Sequence, residues 1–431
     1  NCFMRKINIA IVGLGNIGSY LFKYLKQNKD ILSKKNNCIP NIVYLSAKNK
    51  NRKRGFKIDK KKWLKNYLDC TRKKDVDLIV ELIGGAEGPA KRLVFSALKN
   101  KKHVVTANKA LIAKHGDELS IIAEKNKVNL EYEAAVCGGV PIIRSLKESL
   151  TANKIQRLFG IFNGTSNYIL SSMANLEKNF NQVLDNAKEL GYAESNPTAD
   201  LNGDDVAAKL KILSSLCFNS FLNNNIHVEG IKNIDNNDII NAEKLGYKIK
   251  LLGYAELIDG KIYQRVHPTL IKKSSYVAGI NGVLNAVIID GKPVGQSIIQ
   301  GEGAGPAATT SALVSDISSI LRGNIKFPFS ISSKERKKLK FSSIKDRLFS
   351  AYLRFEVLDK QGVLSDITKI FSKNRVSIKR IIQNPNKING SSSIIIISHM
   401  SKDNSLNKIV NKIDKKTYII KKSKLIRIDD N

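Results

Sequence analysis

Ile7-Asn8-Ile9-Ala10-Ile11-Val12-Gly13-Leu14-Gly15-Asn16-Ile17-Gly18 is the stretch that sets the architecture of the first third of this chain. Its β-branched run predicts a strand, its glycines a tight turn, and the residues that follow through Tyr24 a helix. Glycines in that place let the backbone turn and come close to a pyrophosphate, whose charge the free N–H groups of a helix N-terminus favour. A purely structural glycine turn is the competing reading. The position between strand and helix decides for a dinucleotide, with Gly13, Gly15, Asn16, Ile17 and Gly18 as its contacts.

Working outward, further strands are expected at 41–46, 76–83, 103–106 and 129–136, with a helix over 88–99. This alternation predicts a parallel doubly wound sheet of the Rossmann type over 1–135. An acid commonly follows the second strand where NAD is preferred, but here the chain reads Ala47-Lys48-Asn49-Lys50-Asn51-Arg52. Lys48 and Arg52 suit a 2′-phosphate, so NADP is expected ahead of NAD.

After Cys137-Gly138-Gly139-Val140-Pro141 the pattern changes to α+β, with strands at 156–162, 248–257, 261–266 and 282–289 and helices at 168–175, 183–190 and 204–218. This second unit, 136–325, ends on Gly301-Glu302-Gly303-Ala304-Gly305-Pro306 and a helix over 306–321 expected to return to the first unit. A basic, serine-containing linker is expected at 326–347. The last unit, 348–431, reads strand, helix, strand, strand, helix, strand, the ferredoxin-like βαββαβ order.

Composition narrows the partners. The chain has 431 residues and a formal charge of +34, spread from end to end instead of gathered with aromatics, so neither nucleic acid nor a membrane surface is expected as a partner. There is no long apolar run, and the first residues lead directly into a strand, which reads as cytoplasmic. The five cysteines are scattered and form no zinc pattern.

Between Leu190 and Lys209 stand Glu194, Asp200, Asp204 and Asp205. Asp205 and Lys209, four apart on an expected helix, point the same way. An exposed ion pair is the ordinary reading of that spacing. A second lysine, Lys109, follows Thr106-Ala107-Asn108 at the carboxyl end of a strand, where ligands sit in an open α/β sheet. Hydride transfer to a carbonyl needs a proton source for the oxygen, and Lys209 and Lys109 are the candidates, with Asp205 steering the first. Glu194 is expected to read a substrate ammonium and Asp200 to orient its neighbours. Two other readings compete. A thioester-forming semialdehyde dehydrogenase would use Cys137, which has no adjacent histidine. A nucleic-acid-binding protein would need aromatics on the last unit's sheet beyond Tyr352 and Phe355.

Taken together, residues 13–18, 106–109, 131–141, 160–168, 190–209 and 301–305 resemble homoserine dehydrogenase in order and spacing, and 351–426, with Leu358-Asp359-Lys360-Gln361-Gly362-Val363-Leu364, resembles the ACT module of many bacterial members. The resemblance implies reversible NAD(P)H-dependent reduction of L-aspartate 4-semialdehyde to L-homoserine, a step toward threonine and methionine. It further implies that Lys209 donates the proton, that Lys109 stands near cofactor and substrate, and that Glu194, Asp205 and Lys209 line the substrate site. Thr106 and Gly303 would approach the cofactor. A sodium ion would sit on the backbone carbonyls of Glu133, Val136, Gly138 and Val140. Assembly as a homodimer or homotetramer through the second unit is implied, and threonine is the expected effector, with Asp359 and Gly362 in the ligand loop of the ACT module.

Overall fold

The structure is a computed structural model describing residues 4–176, 178–386 and 390–429. Its first sheet holds five parallel strands in the order Cys38–Ser46, Arg5–Val12, Leu78–Glu81, His103–Thr106, Leu130–Glu131. Strands of a parallel sheet are covered on both faces, which accounts for the apolar runs 9–12, 78–80 and 104–105 within them. Ile9 and Ile11 face Leu21, Leu25 and Leu313, whereas Ala10 and Val12 face Leu93, Val94 and Leu111. Each of the Val, Leu and Ile side chains so withdrawn from water contributes about 1.5–3 kcal/mol. Helix Pro306–Leu321 packs beside helix Asn16–Gln27, and Arg5 closes its end by donating to the Leu321 carbonyl at 2.7 Å. The winding reverses between Arg5–Val12 and Leu78–Glu81, and a crevice opens at their carboxyl ends.

The middle unit is an antiparallel sheet ordered Gly295–Glu302, Leu284–Lys292, Lys154–Ile161, Tyr247–Ile258, Lys261–Lys272. It does not stop there. Strand Ile419–Asp429 pairs in parallel with Lys261–Lys272, Arg427 opposite Thr269, and continues the same sheet into the last unit through Leu348–Leu358, Ser391–Ser398 and Ile378–Asn386. Within that unit the spatial order is fourth, first, third, second strand, the ferredoxin-like arrangement, with helices Val363–Lys373 and Asp403–Ile413 over one face. No helix among the described residues is long and apolar enough to cross a membrane.

Three local expectations need correction. The strand expected over 129–136 is only Leu130–Glu131, because Glu133–Ala135 tightens into a 3-10 turn whose first N–H donates to Asp316 at 2.9 Å. Strand Gly295–Glu302 and helix Asn236–Lys244 escaped the sequence reading; the strand lies at the sheet's edge with five of its eight residues exposed and none buried, so it carries little apolar signal. The segment 326–347 is no loose linker. Phe329 is buried, Tyr132 donates to the Pro328 carbonyl at 2.6 Å, and Arg336 bonds Asp117 at 2.6 Å and Ser215 at 2.9 Å, which pins the first unit's helix Lys109–Asn126 to the middle unit's helix Asp204–Cys217.

Candidate active site

The glycine turn is built as its sequence requires. Gly13 has φ +104°, and a Cβ there would lie 2.3 Å from the Leu82 carbonyl, while one on Gly18 would lie 1.9 Å from the carbonyl of Gly13. A Cβ on Gly15 would meet nothing, so the backbone at that point is open to a ligand. These residues fit a pyrophosphate, and the helix starting at Asn16 presents its N-terminus there.

Three cavities run end to end from this turn. The first, about 780 Å³, is bounded by Gly13, Gly15, Lys48, Arg52 and Arg54. Next to it, about 490 Å³ is enclosed by Gly15, Asn16, Ile17, Gly18, Arg52, Glu81, Ala107, Asn108 and Glu194. The third, about 650 Å³, lies between the units and collects Ile17, Lys109, Glu194, Asp200, Asp205, Lys209, Cys137, Gly138 and Gly303. Shared residues make the series continuous: Arg52 borders the first two, Ile17 and Glu194 the last two. Arg52 also donates to the Asn16 side chain at 3.2 Å, which brings the basic loop over the glycine turn.

Asp205 is the centre of the third cavity. It lies in the first turn of helix Asp204–Cys217, and its two oxygens take Lys109 and Lys209 at 2.8 Å each. Lys109 begins the first unit's helix Lys109–Asn126, so the ion pair with Asp205 joins two domains. Burial alone would raise the Asp205 carboxyl; the two ammonium groups outweigh it and hold the group well below the usual carboxylate range. Lys209 is likewise buried, which by itself would lower its pKa, but Asp205 reverses the sign and keeps it charged. One further N–H of Lys209 goes to the Phe162 carbonyl at 2.7 Å. An ammonium has three N–H bonds, which leaves one for the cavity.

Asn163, within the stretch 160–168 that carries part of the resemblance, joins two of the acids. Its amide nitrogen donates to Asp200 at 2.7 Å and to Asp205 at 2.9 Å, and its oxygen accepts the Ser166 N–H at 2.8 Å at the start of helix Gly164–Leu176. Burial, then the nearby charge of Asp205, raises the Asp200 carboxyl. Thr165 donates to the Tyr192 carbonyl at 2.7 Å and ties this loop to the one carrying Glu194. An Asn amide reaching two carboxylates cannot be read from spacing.

Thr106 differs from expectation. Its hydroxyl is buried and donates to Glu81 at 2.6 Å, while its oxygen accepts the Asn108 N–H at 3.0 Å, so Ala107 and Asn108 line the cavity in its place. Glu81, missed from sequence, also accepts the Ile83 and Gly84 N–H groups and shapes the loop that faces the glycine turn. Gly303 and Gly138 pack face to face, a Cβ on the latter lying 2.4 Å from the Gly303 carbonyl. Glu133 turns its carboxylate onto the N–H groups of Ile143 and Arg144, 2.8 and 2.7 Å away, and Val136 and Val140 are buried. Cys137 borders the cavity, yet burial pushes its thiol up to about 11, which disfavours the thiolate a thioester route needs.

With this geometry in place, the comparisons bear on it directly. Residues 13–133 match the family model described as homoserine dehydrogenase, NAD binding domain; 141–318 match homoserine dehydrogenase, and 351–416 match the ACT domain. The chain is 36% identical over 433 residues to the homoserine dehydrogenase of Neisseria gonorrhoeae and 33% identical over 434 residues to that of Bacillus subtilis, with 99% of each chain covered in both cases. Among solved structures, the homoserine dehydrogenase of Thiobacillus denitrificans superposes with a TM-score of 0.92 at 36% identity, covering 99% of each chain.

Proposed function

Because the chain belongs to the homoserine dehydrogenase family, a family of oxidoreductases that interconvert L-aspartate 4-semialdehyde and L-homoserine, we propose a role for each residue gathered around Asp205. The observation that carries the reading is the joint hold of Asp205 on Lys109 and Lys209, each at 2.8 Å, at the end of the cavity series that starts on the glycine turn.

Lys209 gives its proton to the aldehyde oxygen as that oxygen becomes a hydroxyl, and takes it back in the oxidation direction. Its free N–H supports this, as does the fixed charge on Asp205, which aims the ammonium and recovers its hydrogen bond after transfer. Lys109, 41% exposed and following Ala107 and Asn108 of the second cavity, supplies positive charge to the reacting oxygen and holds the two units together. Glu194 and Asp200, acids on the rim, take the substrate ammonium. When bound, the nicotinamide exchanges the hydride with the substrate carbon.

NADP is assigned ahead of NAD on the strength of Lys48 and Arg52 at the first cavity. A sodium ion is assigned to the carbonyls of Glu133, Val136, Gly138 and Val140. The turn passes through left-handed backbone at Cys137 and Gly138, φ 57° and 50°, and no cluster of metal-binding side chains occurs among the described residues, so the donors would be main-chain oxygens, which suit a hard cation. Threonine is assigned to the ACT module at the loop of Asp359 and Gly362, where Gly362 has φ 83° and opens the helix to Lys373. A homodimer or homotetramer paired through the middle unit completes the reading.

One spectrophotometric assay tests these assignments: L-homoserine oxidation with NADP and NAD in parallel, in sodium and in potassium chloride of equal ionic strength, with and without millimolar threonine. Higher kcat/KM with NADP, activation by sodium and inhibition by threonine are expected. Absence of homoserine-dependent reduction of either nucleotide would overturn the reading of the site.

A further inference from the structure

We infer that Arg427, in the last strand of the ACT module, is a positioning residue for the homoserine site and acts through Glu229, Gly230 and Leu201. The inference rests on the placement of substrate beside Asp200 made above.

Arg427 is buried where strand Ile419–Asp429 joins the middle unit's sheet. Its Nε donates to Asp403 of its own module at 2.6 Å, and its Nη1 reaches both carboxylate oxygens of Glu229 at 3.0 Å. A planar guanidinium held on two sides has little freedom, so the module holds the Glu229 carboxylate together with His227, whose Nε2 lies 2.6 Å from it. Glu229 is also tied by its own N–H to the Val266 carbonyl at 2.7 Å.

The next two residues bear on the substrate side. A Cβ on Gly230 would lie 2.1 Å from the Leu201 carbonyl and 2.6 Å from the Asn202 α-carbon, and the Ile231 N–H donates to that same Leu201 carbonyl at 2.9 Å. Leu201 is the neighbour of Asp200 in the short helix Thr198–Asn202. Gly203, φ 88°, links that helix to the one bearing Asp205 and Lys209, and a Cβ on it would touch Val228 and Val266 at 3.2 Å. Segment 228–231 therefore cups the joint between the two halves of the site, and Arg427 holds the segment. Close backbone contacts of this kind transmit displacement with little slack, because packed interiors have no room to absorb it.

A neighbouring clamp gives the control. Arg354, also of the ACT module, bonds Asp235 at 2.6 Å and Asp238 at 2.8 Å, farther along the chain from Leu201. That clamp meets the middle unit beyond the turn in which the Ile234 N–H donates to the Ile231 carbonyl at 3.0 Å, and among the described residues it makes no side-chain bond to 228–231.

The test is steady-state kinetics on full-length Arg427→Met, Gly230→Ala, Arg354→Met and Asp200→Asn, varying homoserine and NADP separately, with thermal melts to show that each is folded. Arg427→Met and Gly230→Ala are expected to raise the homoserine KM about tenfold while the NADP KM stays within about twofold, and Arg354→Met to leave the homoserine KM near that of the parent. Where Arg427→Met does not fold, Glu229→Gln, which weakens the same contact from its other end, is read in its place with the same expected rise in the homoserine KM. An unchanged homoserine KM in the folded variants, an equal rise in both KM values, or an Arg354→Met effect as large as that of Arg427→Met overturns the inference. Should Asp200→Asn bind homoserine as the parent does, it is the placement of substrate beside Asp200 that fails, and the other variants still decide the route on their own.

Discussion

Lys109 and Lys209 start from different domains and meet on one carboxylate, Asp205, 2.8 Å from each. Two ammonium groups on one acid concentrate positive charge immediately around Asp205, although Glu194 and Asp200 line the same cavity, and water is partly excluded there, so charge acts strongly. That charge suits an oxygen that gains negative character during reduction. The same contact closes the space between the nucleotide-binding unit and the middle unit, so domain geometry and catalytic geometry are one constraint.

Replacement of Lys209 by Met keeps the volume and removes the proton and charge. Turnover is expected to fall by about 10²–10⁴-fold, the usual worth of a positioned acid, with the dissociation constant for NADPH nearly unchanged because Lys209 lies beyond the nucleotide cavities. Single-turnover rates and fluorescence titration of the nucleotide separate the two quantities. A variant with turnover like the parent would remove Lys209 from the chemistry.

Much of this arrangement was legible because it is local. The strand, glycine turn and helix at 7–24 obey the period and turn rules of a short segment, and Asp205 and Lys209 meet because four residues on a helix make one face. The strand and helix order read over 348–431 is likewise the order found, with helix Val363–Lys373 and strand Ser391–Ser398 among its elements. What escaped depends on distant partners. Thr106 turns toward Glu81 from a neighbouring strand, Arg336 anchors a stretch that composition marks as linker, and Asn163 spans to acids about forty positions away, the sequence separations of its two bonds being 37 and 42. Periodicity reports which face a residue occupies; it says nothing of which polar atom waits across the gap.

Asn163→Ala strips the shared donor from Asp200 and Asp205. A hydrogen bond to a charged group contributes about 1.5–3 kcal/mol, so kcat/KM for homoserine is expected to fall by roughly one to two orders of magnitude. Burial and the Asp205 charge already raise the Asp200 carboxyl, and loss of the amide that opposes them raises it further. The acid limb of the pH profile should consequently move to higher pH. A limb that stays in place would show that Asp200 does not govern it.

Cys137→Ser tests the absence of covalent chemistry. With the thiol near 11, only a small fraction is ionised at neutral pH, and the group is fully buried. The serine variant is expected to keep most of the parent's homoserine oxidation, and iodoacetamide to leave the folded parent active. Abolished activity in a folded variant, or inactivation that substrate prevents, would favour the thioester route instead.

Lys250 gives the stability of the chain a pH dependence that is independent of the active site. It is buried under helix Gly164–Leu176, bonded to Asn167 at 3.0 Å and Asn281 at 3.1 Å, and its amine is lowered to about 7, chiefly by burial and then by Lys248. In the unfolded chain the same amine titrates near ~10.4. Between those values the unfolded state binds the extra proton, so stability rises with pH, by at most ~1.4 kcal/mol per pH unit, and the full penalty is present below about 7. Lys250→Met, which removes the titrating group while keeping an unbranched apolar chain, should flatten that slope and gain stability relative to the parent most clearly at pH 6–7. Urea melts of both proteins at pH 6.5, 7.5 and 8.5 check this, and parallel curves for the two would show that the amine does not lose its proton in the folded chain.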